Sequence, residues 1–277
     1  MSQAQQIASS RQIELEGVQV VLIRNVNVPV REPGIIEKLP YREGAFVKQG
    51  DVIAHLDEKT YELAENISQL EKRIADERAK SDVNRRFAMK SMEVSAAVMK
   101  RGEQANERFP KSISKTEMDK SRLEAERDVL ALEQAENELR IAELESVLEN
   151  SKLELNQLKR EYRTISAPFD GLIVEMFAQE GEWLNAGEPV LRIIDVEKMR
   201  IDTVVDAQLY GPELLNQTVT FTVDTHRGTE TFEGVVNFVS PEIEPINQTI
   251  SVRAEVINRE NLLRPGASGK LVIQLPQ

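Results

Sequence analysis

The sequence predicts an elongated, multidomain α+β protein. A β-sandwich made from two copies of one half-motif is interrupted by a long antiparallel α-helical hairpin and followed by a small antiparallel β-barrel. Three observations predict this. Two β-like segments carry the same glycine and apolar pattern at a constant offset. Between them lies a stretch rich in Ala, Glu, Lys, Arg and Gln that is nearly free of glycine. After them come apolar–polar alternations of period two, separated by turn residues.

The repeat is the strongest of the three. Gly34, Gly44 and Gly50 stand 137 residues before Gly171, Gly181 and Gly187. At the same offset Ile35 matches Leu172, Ile36 matches Ile173, Glu43 matches Glu180, Val47 matches Leu184, Asp51 matches Glu188 and Leu56 matches Ile193. Such glycines mark backbone that needs positive φ or a close turn. Each copy has an apolar face it cannot bury alone, so the two are expected to pack against each other.

The intervening stretch reads as two helices. The first runs from about Thr60 to Glu107, and Leu63, Ile67, Leu70 and Ile74 recur at spacings of four and three, predicting the seam of a coiled coil. The same seam continues through Ser81, Asn84, Ala88, Ser91 and Ser95, small and polar residues that argue against one straight helix. Phe109-Pro110-Lys111-Ser112 breaks the pattern, since proline lacks the amide a helix interior needs. Ser114 and Glu117 have the capping-box spacing, so a second helix starts near Ser114 and runs to about Tyr162. Its later seam is Ile141, Leu144, Leu148, Ser151, Leu155, Leu158 and Tyr162, whereas Ala125, Leu132 and Leu139 are out of phase, implying a stutter or a second buried face. At 1.5 Å per residue each arm spans roughly 70 Å. At the turn, Arg108, Phe109 and Ile113 suggest either a partner contact or closure of the hairpin's own end.

Composition narrows the function. The 277 residues carry a net charge of −12 and only 5% aromatics, which argues against a nucleic-acid surface and a compact enzyme. The absence of cysteine removes disulfides, thiolate metal sites and cysteine nucleophiles. No apolar run approaches a membrane span, and Met1–Arg11 lacks the apolar core of a signal peptide. His55 and His226 are the two histidines, and their setting predicts no metal. No nucleophile elbow or phosphate loop stands out, so no catalytic residue and no cofactor is expected. Asn66, Asn216 and Asn247 match glycosylation sequons, a pattern short enough to arise by chance.

The two copies, with Pro33-Gly34-Ile35-Ile36-Glu37 in the first and Ile165-Ser166-Ala167-Pro168-Phe169-Asp170-Gly171 in the second, resemble the membrane fusion protein family, the HlyD-like periplasmic adaptors of tripartite efflux pumps and type I secretion systems. The later runs Phe232–Val236, Phe238–Pro241, Ile250–Ala254 and Leu263-Arg264-Pro265-Gly266 follow the family's order, with Asn247-Gln248 and Ala267 as departures. The resemblance implies a split lipoyl-like β-sandwich (barrel-sandwich hybrid) and domains at 26–58 and 164–196 (half-lipoyl motifs), 59–163 (hairpin, tip about 108–114) and 197–277 (barrel), with 1–25 able to supply a first barrel strand. Gly34, Gly44, Gly50, Pro168, Gly171, Gly181, Gly187, Pro265 and Gly266 are then structural positions.

It further implies a non-catalytic periplasmic adaptor linking an inner-membrane transporter of the ABC or RND class to a TolC-like outer-membrane channel, as a homo-oligomer (hexamer or trimer of dimers). Ile113-Ser114 with Asp119 resembles the family's channel-contacting turn, although Glu103 and Glu107 stand where an arginine and a leucine often precede it. The chain stops after the barrel, so the membrane-proximal domain of longer relatives is expected to be absent or minimal. Two alternatives stay open: a coiled-coil scaffold without a transporter, and a lipoyl- or biotinyl-carrier enzyme component with Lys59 modified. A carrier lysine needs a tight turn between the halves, whereas here the chain is expected to enter a helix.

Overall fold

The computed structural model describes residues 12–275; the polar stretch Met1–Arg11, read above for a signal peptide, lies outside the described residues. In chain order the strands and helices are β1 (Gln12–Leu22), β2 (Asn25–Pro29), β3 (Gly34–Lys38), β4 (Phe46–Val47), β5 (Val52–Leu56), α1 (Lys59–Lys80), α2 (Val83–Arg108), α3 (Lys115–Glu161), β6 (Thr164–Ser166), β7 (Gly171–Met176), β8 (Trp183–Leu184), β9 (Pro189–Ile194), β10 (Lys198–Asp206), β11 (Thr218–Thr225), β12 (Gly228–Glu244), β13 (Thr249–Ile257) and β14 (Ser268–Gln274). They form two units, one holding all the strands and the other, Asp57–Arg163, holding the helices.

The duplicated motif builds the sandwich by exchange. One sheet has the order β2-β9-β7-β4 and the other β6-β5-β3-β8. Each therefore takes its two central strands from one copy and its two edge strands from the other. The cross-bonds come in matched pairs 137 residues apart. Gly44 N–H donates to the Ile173 carbonyl at 2.8 Å, and Gly181 N–H to that of Ile36 at 2.9 Å. Gly50 donates to Ala167 and Gly187 to Val30, both at 2.9 Å. The Glu43 carboxylate accepts from Met176 N–H at 2.9 Å, and its repeat mate Glu180 accepts from Leu39 N–H at 2.8 Å. The four turn glycines share φ values of +86° to +91°, where a Cβ is strained. Gly171 acts differently: a Cβ there would lie 2.5 Å from the Ile194 carbonyl oxygen, so close strand packing excludes it. Between the sheets, Val30, Ile36, Val47, Ile53, Leu56, Ile173, Leu184, Val190 and Ile193 form the core.

The barrel closes in the order β1-β10-β13-β12-β11-β14 around Met199, Ile201, Phe221, Val252 and Leu271. The Pro265-Gly266 turn leads into β14 and ties to β1, with Gly266 N–H on the Val20 carbonyl at 2.8 Å. Two crossings join sandwich to barrel, and both are clasped. The nearly buried Asp195 carboxylate accepts from Arg24 and from Glu197 N–H. Buried Asn258 donates to the Val196 and Leu263 carbonyls.

The helical unit departs twice from two continuous arms packed on their apolar stripes. As the small and polar seam residues argue, the first arm is not one straight helix but α1 and α2, interrupted at Ser81-Asp82. The seam explains the break: Ser68 to Ala75 and Ala88 to Ser95 to Gly102 are heptad steps, whereas Ala75 to Ala88 is one residue short of two heptads. The interruption absorbs that slip. The second departure concerns which face is inside. Leu63, Ile67, Leu70 and Ile74, expected to form the seam, are 55–63% exposed, as are Ile141, Leu144, Leu148 and Leu155 at 51–64%. The residues facing across the hairpin are small or polar: Ser68, Ala75, Ala88, Ser95 and Gly102 against Ala125 and Ala135. The Ala125–Leu132–Leu139 phase is the inward one, and it continues through Ser146 and Leu153. Small side chains let the helices approach closely, and polar pairs set the register. Asn156 donates to Ser68 at 2.6 Å, Ser146 to Asp76 at 2.5 Å, and Arg160 meets Glu65 at 3.0 Å.

Substituting Gly171 by alanine is expected to cost the sandwich about 1–3 kcal/mol through overpacking. Urea unfolding followed by the emission of Trp183, the single tryptophan, measures it; an unchanged midpoint would show that the strands have room to spare.

Candidate functional site

The hairpin presents two surfaces that the rest of the chain does not explain: its tip and its apolar flanks. At the tip, α2 ends as Phe109 N–H reaches back to the Ala105 carbonyl at 2.9 Å. Lys111 takes φ +68°, turning the chain. Ser114 then caps α3, its hydroxyl accepting from Glu117 N–H at 3.3 Å, as the spacing requires. One residue that the sequence pattern did not single out organises the turn. The Asn106 side-chain oxygen accepts from Ile113 N–H at 2.9 Å and from the Ser112 hydroxyl at 3.0 Å, while its amide donates to the Ile113 carbonyl at 3.3 Å. An Asn one turn before a helix end, facing a loop of polar residues, is the only signal that could have flagged it.

The candidate tip residues therefore divide. Ile113 is half-buried, with its Cδ1 3.4 Å from where a Cβ on Gly102 would stand. It closes the hairpin end. Phe109 is 72% exposed, Arg108 and Asp119 are exposed, and Ser114 uses its hydroxyl as the cap.

The flanks follow from helical geometry. At 100° per residue, the exposed stripe of α1 lies roughly 120–150° around the helix from its seam, and the Ile141–Leu155 stripe of α3 is displaced similarly. Because the seams face each other, the two stripes look away from each other. On α2 the stripe continues through Val83, Phe87, Val94 and Val98, 46–74% exposed, beside a groove lined on α3 by Ser121, Glu124 and Asp128.

Elsewhere the chemistry is sparse. Among the described residues no three His, Cys, Asp or Glu side chains are placed to hold a metal. His55 lies 3.4 Å from the Thr164 hydroxyl, and His226 sits in the turn before β12. Lys59 opens α1, its N–H bonded to Asp57, away from any turn between the sandwich halves. No described helix is long and apolar enough to cross a membrane.

A sandwich of exchanged half-motifs, a helical hairpin inserted between the halves and a following six-stranded barrel define an adaptor-type architecture. Residues 24–196 match the family model described as RND MFP, barrel-sandwich hybrid domain, and 207–277 match the CusB-like β-barrel domain. The chain belongs to the membrane fusion protein family, whose members are generally non-catalytic adaptors. It is 26% identical to the macrolide export protein MacA of Yersinia pestis over 91% of this chain and 65% of that protein. It is 24% identical to the nodulation protein NolF of Rhizobium meliloti over 88% of this chain and 58% of that one. It thus spans somewhat less than two thirds of these relatives' length. Its fold matches MacA from Actinobacillus actinomycetemcomitans (TM-score 0.66, 20% identity, 96% of this chain, 80% of that one). It also matches the membrane fusion protein Spr0693 from Streptococcus pneumoniae R6 (TM-score 0.61, 12% identity, 97% and 100%).

Two outcomes are expected. Asn106→Ala removes three bonds that hold the turn, so amide exchange at Ile113 should rise about tenfold, corresponding to about 1.4 kcal/mol, with the sandwich unaffected. Unchanged protection there would show that the turn holds itself. Lys72 first, then Ser146, hydrogen-bonds the Asp76 carboxylate and lowers its pKa below the ordinary aspartate value. Its contribution to hairpin stability is present above the unfolded-state pKa and is lost as pH falls through the lowered folded value. Acid melts followed by far-UV circular dichroism should show a shallower pH dependence in Asp76→Asn than in the wild type.

Proposed function

We propose that this chain is the adaptor subunit of an efflux or secretion assembly in the cell envelope. It joins an inner-membrane transporter of the ABC or RND class to a TolC-like outer-membrane channel, and it works by spacing and sealing rather than by catalysis. The observation that carries this reading is the pair of apolar flanks on the hairpin.

Large apolar side chains recurring along a helix at spacings of three and four are placed to be buried. Here they point away from the hairpin's own seam, so what covers them lies outside the hairpin. A second hairpin fits. The α2 segment 83–108 has six basic and three acidic residues, whereas 115–140 of α3 has five basic and eight acidic, so the two arms toward the tip carry +3 and −3. Such a surface pairs with its complement on a neighbour rather than with itself. Repeated around an axis, that heterologous contact closes a ring, in keeping with a hexamer or trimer of dimers. A ring of arms roughly 70 Å long makes a wall around a conduit. The tip, with exposed Phe109 and Arg108, is the part of that wall placed to meet a channel.

Sedimentation velocity with cross-linking, with and without the transporter, tests this. Concentration-dependent oligomers are expected, and Ile67→Glu or Leu144→Glu should weaken them at least ~10-fold by placing an unpaired charge in the contact. A monomer under all conditions would overturn the reading.

A further inference from the structure

The inward phase of α3 runs Met118, Ala125, Leu132, Leu139, Ser146 and Leu153 in heptad steps. Its member nearest the tip is the one thioether. On α2 the facing seam alternates small residues with larger ones, Ala88, Met92, Ser95, Met99, Gly102 and Asn106, at spacings of four and three. Gly102 leaves a hole in that seam, and Met118 fills it. A Cβ on Gly102 would stand 2.9 Å from the Met118 sulfur, 3.6 Å from its Cε and 3.4 Å from Ile113 Cδ1. Sulfur, glycine backbone and Ile113 thus share one contact. It lies one helical turn below Asn106, whose side chain holds the tip through the Ile113 N–H and carbonyl.

Packing alone does not require sulfur there. Leu132, Leu139 and Leu153 fill the same face farther from the tip, and leucine and methionine exchange at little cost in a core. What the thioether adds is redox chemistry. Met118 is half-buried, so a small oxidant reaches it, whereas Met199 in the barrel core is fully buried. The chain has no cysteine to consume the oxidant first. The product is a polar, chiral side chain, larger by one oxygen, at a close-packed contact. Such a group either parts α2 from α3 at Gly102 or swings out and leaves Ile113 uncovered. Both outcomes undo the packing that closes the hairpin end.

We propose that Met118 is a modification site, oxidised reversibly to the sulfoxide by hypochlorous acid, and that the change loosens the tip of the hairpin. Thioether and hypochlorous acid give sulfoxide, chloride and a proton. The S–O bond forms, the O–Cl bond breaks, and the two electrons leaving sulfur reduce chlorine to chloride. A methionine sulfoxide reductase reverses the step, returning two electrons and two protons from a dithiol and releasing the oxygen as water. The tip turn thereby gains two states set by one atom. The inference concerns the hairpin itself and holds whichever partners the tip meets.

The full chain is treated with a limiting amount of hypochlorous acid. Peptide mass spectrometry locates the added oxygen while amide exchange is followed at Ile113. Met118 is expected to be oxidised in the folded protein while Met199 stays reduced, and exchange at Ile113 to rise about tenfold. Sulfoxide reductase should restore both the mass and the protection. Met118→Leu keeps the volume and removes the thioether, so the same treatment should leave its Ile113 protected. Met118→Gln, polar and of similar length, should raise exchange at Ile113 without oxidant. The proposal is overturned if Met118 resists oxidation as Met199 does, or if its sulfoxide or the Gln variant leaves Ile113 exchange unchanged. It is equally overturned if oxidised Met118→Leu loosens as the wild type does, which would place the effect at Met92 or Met99. Should Met118→Leu fail to fold, the wild-type time courses decide instead: oxidation at Met118 and exchange at Ile113 must rise together, and a mismatch sinks the assignment.

Discussion

Everything in the strand-bearing unit depends on the reciprocal hydrogen bonding between the two copies of the half-motif. Neither copy makes a sheet alone, because each sheet borrows its edge strands from the other copy. The bonds of Gly44 with Ile173 and Gly181 with Ile36, and the carboxylates of Glu43 and Glu180, lock that exchange. The exchange also pairs β5 with β6, with His55 opposite Thr164. The two ends of the inserted hairpin are thereby held on neighbouring strands. An insertion of more than a hundred residues is tolerable there because its ends start and finish together, which keeps the loop-closure cost low.

The hairpin follows a different logic. Its inner seam, Ala, Ser and Gly with half-buried Leu132, Leu139 and Leu153 on α3, gives close approach and polar register pairs, while the leucine and isoleucine stripes Leu63–Ile74 and Ile141–Leu155 face outward. In a lone hairpin this arrangement forgoes apolar burial. In an array of hairpins it is sensible, because the apolar stripes are kept for neighbours, and the arms toward the tip differ in the sign of their charge. The tip is stabilised separately, by Asn106 and the Ser114 cap, so its outward residues are not needed to hold the turn.

What could be read from the sequence divides along the same line. The sandwich was legible because its constraints are local and repeated: a turn at φ near +86° demands glycine, and a constant offset exposes the duplication. The barrel was legible from alternation. In the hairpin, periodicity identified which residues share a face but not what that face meets. Leu63, Ile67, Leu70 and Ile74 form a true stripe, yet the burying partner is not the other arm. The phase of Ala125, Leu132 and Leu139 held the answer, but what it meets on the first arm is Ser68, Ala75, Ala88, Ser95 and Gly102, and small residues carry little weight in a hydrophobic pattern. Asn106 escaped because its bonds are to backbone seven residues away, and no side-chain spacing encodes them. The slip at Ser81-Asp82 was visible only as a weakening of the seam.

The orientation of the apolar stripes is the claim on which the account turns. Hydroxyl-radical footprinting of the dilute and the assembled protein tests it directly. Leu63, Leu70, Leu144 and Leu155 should be oxidised readily in dilute protein and protected on assembly. If they are already protected in the dilute chain, the stripes face inward and the account is contradicted.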